Sequence, residues 1–196
     1  MGERMKNCML FQDWFTKEDC NHIVNECEKL LDIRDATTGE GDAQKVTKHR
    51  KGNVAFITTA NPDHMPLWNF IAPRFWNSIN AANRLSYDFD VKYLDSIQYT
   101  VYNGDENEGD FYNWHIDTFL DTDNAFHRKL SLTLQLSESD DYTGGDFEFM
   151  HSSAPDNIRK LGNILVFPSF STHRVTPVTS GTRRSLVAWF EGSKFK

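Results

Sequence analysis

His115 and Asp117 stand one residue apart in FYNWHIDTF, and in an extended chain residues two apart project to the same side. One imidazole and one carboxylate can therefore converge on a cation. The pair alone carries little weight: with 7 His and 18 Asp in 196 residues, random placement yields roughly 0.6 such pairs. A second histidine would complete the two-His, one-carboxylate arrangement that holds non-haem Fe(II) with neighbouring coordination positions open. The other histidines are not equivalent candidates. His22 lies on a helical pattern, His49 and His64 in polar segments, and His127 and His151 in apparent turns. His173 instead follows the apolar run ILVFP, where a strand near the chain end can pair beside the His115 strand.

Arg183 follows His173 by ten residues, across a turn expected at Ser180 and Gly181. A hairpin of that length returns a planar, two-pronged donor toward the histidine, suited to a carboxylate. A dicarboxylate could then chelate the metal through a 2-oxo acid end and rest its far carboxylate on Arg183. By strand alternation Arg184 faces away and is expected as a rim charge.

Regular elements must position these groups. Residues 16–31 read as an amphipathic helix, with Thr16 as its cap, Asp19 in the reciprocal capping position, and Cys20, Ile23, Cys27 and Leu31 as one stripe. NVAFIT, 53–58, is a strand candidate. Residues 66–85 form a second helical region that Pro73 is expected to break or kink. From about residue 93 the texture changes to short strands separated by turns: YLDSIQYTVYN, KLSLTLQL, DFEFM, GNILVFP and RRSLVAWFE. In KLSLTLQL, Leu130, Leu132, Leu134 and Leu136 share one face, and Ser131, Thr133 and Gln135 the other. The expected fold is mainly β, a jelly-roll with N-terminal helices supporting one sheet, in a single domain: residues 1–92 a helical support region, 93–196 the core.

The formal charge of −7 does not attract a phosphate backbone, so nucleic acid is not an expected partner; KVTKHRK, 45–51, is the only strong basic cluster and reads as a solvated loop. Three cysteines, Cys8, Cys20 and Cys27, offer no disulfide framework. No signal peptide or membrane-spanning run is read, which leads to the expectation of a cytoplasmic protein, monomeric or homodimeric, with no membrane partner.

YNWHIDTF, the YTGGDFEF turn and strand, and FPSFSTHRVTPVTSGTRRSLVAWF together resemble the core of the 2-oxoglutarate and Fe(II)-dependent dioxygenases, in their prolyl 4-hydroxylase-like branch. The resemblance covers about residues 95–191, and more loosely an Arg-x-x-Asn-x-x-x-Ile segment from Arg50 to Ile57. It implies a double-stranded β-helix with His115, Asp117 and His173 on iron, and Arg183, where many relatives carry lysine, on the distal carboxylate of 2-oxoglutarate. It implies that Tyr102 helps to hold that co-substrate, and that Tyr112 and Trp189 line the substrate side. The implied reaction consumes 2-oxoglutarate and O2, releases succinate and carbon dioxide, and hydroxylates a C–H bond, with ascorbate as a candidate reductant. A prolyl residue in a protein or peptide is the first-choice target; a free amino acid or other small molecule is the alternative. A zinc-dependent hydrolase and a non-catalytic jelly-roll binding module are the rival classes. Residues 35–65 and 104–110 are the candidate closing loops.

Overall fold

The computed structural model describes residues 6–36, 49–120 and 124–195. In chain order the elements are β1 (Met9–Phe11), α1 (Lys17–Leu30), β2 (Arg34–Asp35), β3 (Arg50–Lys51), β4 (Asn53–Ile57), a 3-10 turn at Pro62–His64 and α2 (Met65–Ala82). After a π-helical turn (Asn83–Tyr87) come β5 (Tyr93–Asn103), β6 (Phe111–His115), β7 (Phe126–Gln135), β8 (Tyr142–Gly144) and β9 (Phe147–Phe149). The chain closes with β10 (Ile164–Pro168), β11 (His173–Val175) and β12 (Val178–Ser193).

The larger sheet runs β1-β10-β7-β12-β5-β4-β2, with β8 pairing onto β12; the smaller runs β3-β6-β11-β9. Both are antiparallel throughout, the arrangement of a jelly-roll. The N-terminal residues supply β1, β2 and β4 to one sheet and β3 to the other, besides the helices.

The alternation in KLSLTLQL orients the larger sheet. Leu130, Leu132 and Leu134 are fully buried, in one cluster with Cys20, Ile23 and Cys27 of α1 and Ile71, Phe75 and Ile79 of α2. The helices therefore cover the leucine face. Ser131, Thr133 and Gln135 are also buried, so their face is turned inward between the sheets rather than to solvent. A second cluster there joins Tyr102, Phe147, Phe149, Leu165, Phe167 and Val175.

The helix over 16–31 forms with its capping box: the Asp19 N–H donates to Thr16 Oγ1, and the Thr16 N–H to the Asp19 carboxylate, both at 3.1 Å. Of the break or kink expected at Pro73, the break does not occur; α2 runs through it. The proline forfeits one helical hydrogen bond, which the burial of Leu67, Ile71, Ala72, Phe75, Ile79 and Ala82 outweighs.

A second expectation is also corrected. No hairpin turn forms at Ser180–Gly181: β12 is continuous through both, paired there with Thr143 and Tyr142 of β8. Gly181 adopts φ 72° inside the strand, just after a register shift between Val178 and Ser180. The chain instead changes sheets between β11 and β12, so Arg183 faces His173 from the opposite sheet. Part of the basic cluster at 45–51 and of the 35–65 loop, residues 37–48, lies outside the described residues. Among the described residues no helix is long and apolar enough to cross a membrane.

Candidate metal and co-substrate site

β11 lies against β6 with His173 directly opposite His115, which sets the two rings 4.2 Å apart. Asp117 does not belong to the strand; β6 ends at His115. Its place is fixed instead by its own N–H, which donates to the Ser169 carbonyl at 2.8 Å. Ser131 Oγ donates to Asp117 Oδ2 at 2.7 Å and sits 2.9 Å from Ser169 Oγ. Neighbouring strands thus hold the carboxylate where strand alternation alone does not.

His115 Nδ1 donates to the Asn113 carbonyl at 2.7 Å, and His173 Nδ1 to the Ser171 carbonyl at 2.9 Å. Each carbonyl can only accept, so both protons are assigned to Nδ1 and both Nε2 lone pairs point inward. They lie 3.6 Å from Asp117 Oδ1 and 3.7 Å from Oδ2, too far for a hydrogen bond. One donor atom from each of the three residues lies within 4.8 Å of the others. Burial, together with the neighbouring His173, pushes the His115 imidazole down to about 4, with Asp117 opposing. Burial would raise the Asp117 carboxyl, but the two imidazoles, the Ser131 hydroxyl and Arg128 hold it below its ordinary value. Two imidazole Nε2 atoms and a carboxylate face one gap. That donor set fits a divalent metal such as Fe(II).

The trio opens into a cavity of about 830 Å³ whose walls come from both sheets. Arg183 lines it, 3% exposed, its Nη2 donating to Gln135 Oε1 at 3.1 Å and its Nη1 to Ser185 Oγ at 3.2 Å. Its buried Nε has no partner, and among the described residues it makes no ion pair. A buried guanidinium on the cavity wall, held among the described residues by neutral groups, fits a carboxylate. Tyr102 pairs with Arg183 across β5 and β12 and is buried on the same wall.

Tyr112 stacks on His115 with ring centroids 3.4 Å apart, and burial pushes its phenol up to about 12. Trp189 lines the cavity opposite Ser131, with Arg128 over its ring at 4.2 Å. All seven residues read from the sequence therefore border one cavity. Arg184, on the other face of β12, pairs with Glu28 of α1 at 2.9 Å. Residues 104–110 do not line the cavity.

The sequence reading missed the groups that position these seven. Ser131, Gln135 and Ser185 clamp Asp117 and Arg183, and Arg50 lies over the Tyr112 ring at 4.6 Å. The signal for the first two was present in KLSLTLQL, whose polar face belongs to a strand buried on both sides.

Comparison with known proteins agrees with this geometry. The 2OG-Fe(II) oxygenase superfamily matches residues 97–191. A PKHD-type hydroxylase of Shewanella sp. (strain ANA-3) is 35% identical over 183 residues, 90% of this chain and 75% of its own. One from Synechococcus sp. (strain CC9902) is 40% identical over 84 residues, 42% of this chain but 37% of its own length. Three further PKHD-type hydroxylases match in this second way, the chain spanning 38–40% of their length. Among solved structures, a viral collagen prolyl hydroxylase from Paramecium Bursaria Chlorella virus-1, in a 2OG complex, superposes with TM-score 0.69 at 16% identity, covering 95% of this chain and 97% of that one. A prolyl hydroxylase from Trichoplax adhaerens, in complex with a hypoxia inducible factor peptide fragment, gives TM-score 0.69 at 14% identity, covering 94% and 83%. At these identities the likeness establishes the fold, a jelly-roll shared by 2OG oxygenases. The match to the Shewanella protein, which spans most of both chains, carries the stronger conclusion: this chain belongs to the 2OG-Fe(II) oxygenase superfamily, among relatives named PKHD-type hydroxylases.

Proposed function

We propose that the protein is a 2-oxoglutarate-dependent Fe(II) dioxygenase that hydroxylates an aliphatic C–H bond, with a prolyl residue of a protein or peptide as its target. The observation that carries the reading is the pairing, within one cavity, of three convergent lone-pair donors with the carboxylate-free Arg183. A hydrolytic metal site has no use for that second feature.

In this reading His115, Asp117 and His173 hold Fe(II), while Arg183 and Tyr102 hold 2-oxoglutarate. The bound pair supplies oxidative decarboxylation of the co-substrate, to succinate and carbon dioxide, coupled to insertion of one oxygen atom from O2 into the C–H bond. The chain's own work is positional. The Asn113 and Ser171 carbonyls keep both Nδ1 atoms protonated, so Nε2 alone is offered to the metal. Ser131 fixes the Asp117 carboxylate rotamer. Gln135 and Ser185 hold the Arg183 fork flat against the inner wall of the larger sheet. Phe147 and Phe167 pack against His173 and keep bulk water from that side of the site. Tyr112, from the smaller sheet, and Trp189, from the larger, add aromatic surface to the cavity lining on the substrate side in this reading.

A peptide target is supported by the likeness to relatives named as prolyl hydroxylases, one of them seen with a peptide. The test is to incubate the protein with Fe(II), 2-oxoglutarate, air and a proline-containing peptide library. Succinate release together with a one-oxygen mass gain on prolyl peptides supports the reading. Succinate release with no peptide modified refutes the prolyl assignment, and no succinate under any condition refutes the dioxygenase.

A further inference from the structure

Four guanidiniums line the cavity, and their charges are answered differently. Arg34, at the exposed mouth, pairs with Asp32. Arg128 pairs with Asp95 at 2.7 Å. Arg183 takes the co-substrate in the reading proposed above. Arg50 is left. It is 8% exposed, its Nε is buried without a partner, and among the described residues it forms no ion pair. Its contact is with an aromatic face: Cζ lies 4.6 Å from the centroid of Tyr112, which in turn stacks on His115. The β3–β6 pairing sets Arg50 directly opposite Tyr112, so this placement is dictated by register. The guanidinium stands one ring away from a metal ligand.

Charge balance makes Arg50 informative. In the loaded site the charges of a divalent metal and Arg183 are matched by Asp117 and the co-substrate dianion, and Arg128 is matched by Asp95. Asp35, the remaining acid on the lining, is exposed and accepts from Asn53 Nδ2 at 3.3 Å, which leaves Arg50 as a buried guanidinium with no carboxylate partner among the described residues. A ring face compensates a desolvated cation far less than a carboxylate does. The buried Arg50 fork is therefore open to an anion beside the reacting position.

We propose that Arg50 anchors a carboxylate of the molecule being hydroxylated, so that the substrate is an acidic one. This inference rests on the dioxygenase reading and refines its substrate. The carboxylate has two sources: the α-carboxylate of a free amino acid, or the side chain of an acidic residue adjacent to the modified residue in a peptide. In either case it sits on the Tyr112 side of the site, across from the Trp189 wall.

The experiment is an anaerobic calorimetric titration of the Fe(II)- and 2-oxoglutarate-loaded protein with two acid–amide pairs. One pair is L-proline and L-prolinamide. The other is an acetylated, amidated Gly-Glu-Pro-Glu-Gly peptide and its Gln counterpart. In at least one pair the acid is expected to bind ~10-fold more tightly than the amide, the worth of one charged hydrogen-bonded contact. The pair that shows it identifies the source. R50Q is expected to bring acid and amide to equal affinity while leaving 2-oxoglutarate binding at its wild-type value. R50K, which keeps the charge, is expected to retain the preference, and R50M, which keeps the bulk without the charge, is expected to abolish it and decides the matter where R50Q does not fold. Equal binding of acid and amide in both pairs, or no binding of any probe, overturns the proposal, as does a preference that survives R50Q. If the wild-type protein binds no 2-oxoglutarate, the dioxygenase reading fails first, and the charge balance behind Arg50 fails with it.

Discussion

His115 and His173 face each other across the β6–β11 pair, and each donates its Nδ1 proton to the carbonyl two residues before it. The same local device on two strands presents two Nε2 lone pairs to one carboxylate. Buried, that arrangement is electrostatically unsatisfied until a cation enters.

Removal of either imidazole is therefore expected to cost the metal rather than the fold. H173A and H115A leave two of three ligands, and binding of Mn(II), used as an oxygen-stable probe, is expected to fall at least ~100-fold, with the melting temperature of the metal-free protein changed little. Titration calorimetry and thermal melts check both halves. Tight Mn(II) binding by H173A would mean that the ligand set is wrong.

Adjacent residues on β7 are expected to fail in opposite ways. Ser131 holds Asp117, so S131A weakens metal affinity ~10-fold with little loss of stability. Leu132, fully buried against the helices, is the reverse case: L132A costs about 2–5 kcal/mol of stability and leaves the metal affinity of the folded fraction intact. Denaturant unfolding and metal titration of the two variants separate these outcomes.

Arg183 and Arg184 form a second such pair. R183Q is expected to weaken 2-oxoglutarate binding by ~10–100-fold without touching metal affinity, because the lost contact is a charged, two-pronged one. Arg184 pairs with Glu28 on the helix side, so R184Q is expected to leave both affinities unchanged. Equal effects from the two variants would remove the distinction between the faces of β12.

Much of this was legible in the residues themselves. Alternation in KLSLTLQL gave the strand and its leucine face, Thr16 and Asp19 gave the helix start, and residue types with the family resemblance singled out His115, Asp117, His173 and Arg183 as the candidate site. Tertiary context decided the rest. Whether Ser131 and Gln135 face water or a cavity depends on a second sheet whose position no local pattern records. Ser180 and Gly181 suit a turn by residue type, and only their pairing with Thr143 and Tyr142 of β8 keeps them in a strand. Pro73 disfavours a helix locally, yet the burial around it is a property of the whole core.

The buried thiols and phenols set the alkaline limit of stability. Burial raises the Cys20 thiol from 9.0 to about 12 and moves Cys27, Tyr87 and Tyr99 upward as well. These groups keep their protons when folded and release them when unfolded. Their contribution is complete below about pH 9 and declines as pH rises from there through their folded values. Stability is expected to fall steadily above pH 9, and Cys20 and Cys27 to resist a thiol reagent at pH 8 until the chain is denatured. Denaturant midpoints across pH 7–11, with thiol titration, check this. Rapid labelling of both in the native protein would contradict it.

The central claim is that His115, Asp117, His173 and Arg183 form one site for Fe(II) and 2-oxoglutarate together. Anaerobic addition of 2-oxoglutarate to the Fe(II)-loaded protein, followed by visible absorption, tests it most directly. The account predicts a metal-to-ligand charge-transfer band that saturates at one equivalent, is absent in H173A, and needs ~10–100-fold more 2-oxoglutarate in R183Q. A wild-type protein that binds Fe(II) yet shows no band at any 2-oxoglutarate concentration would contradict it.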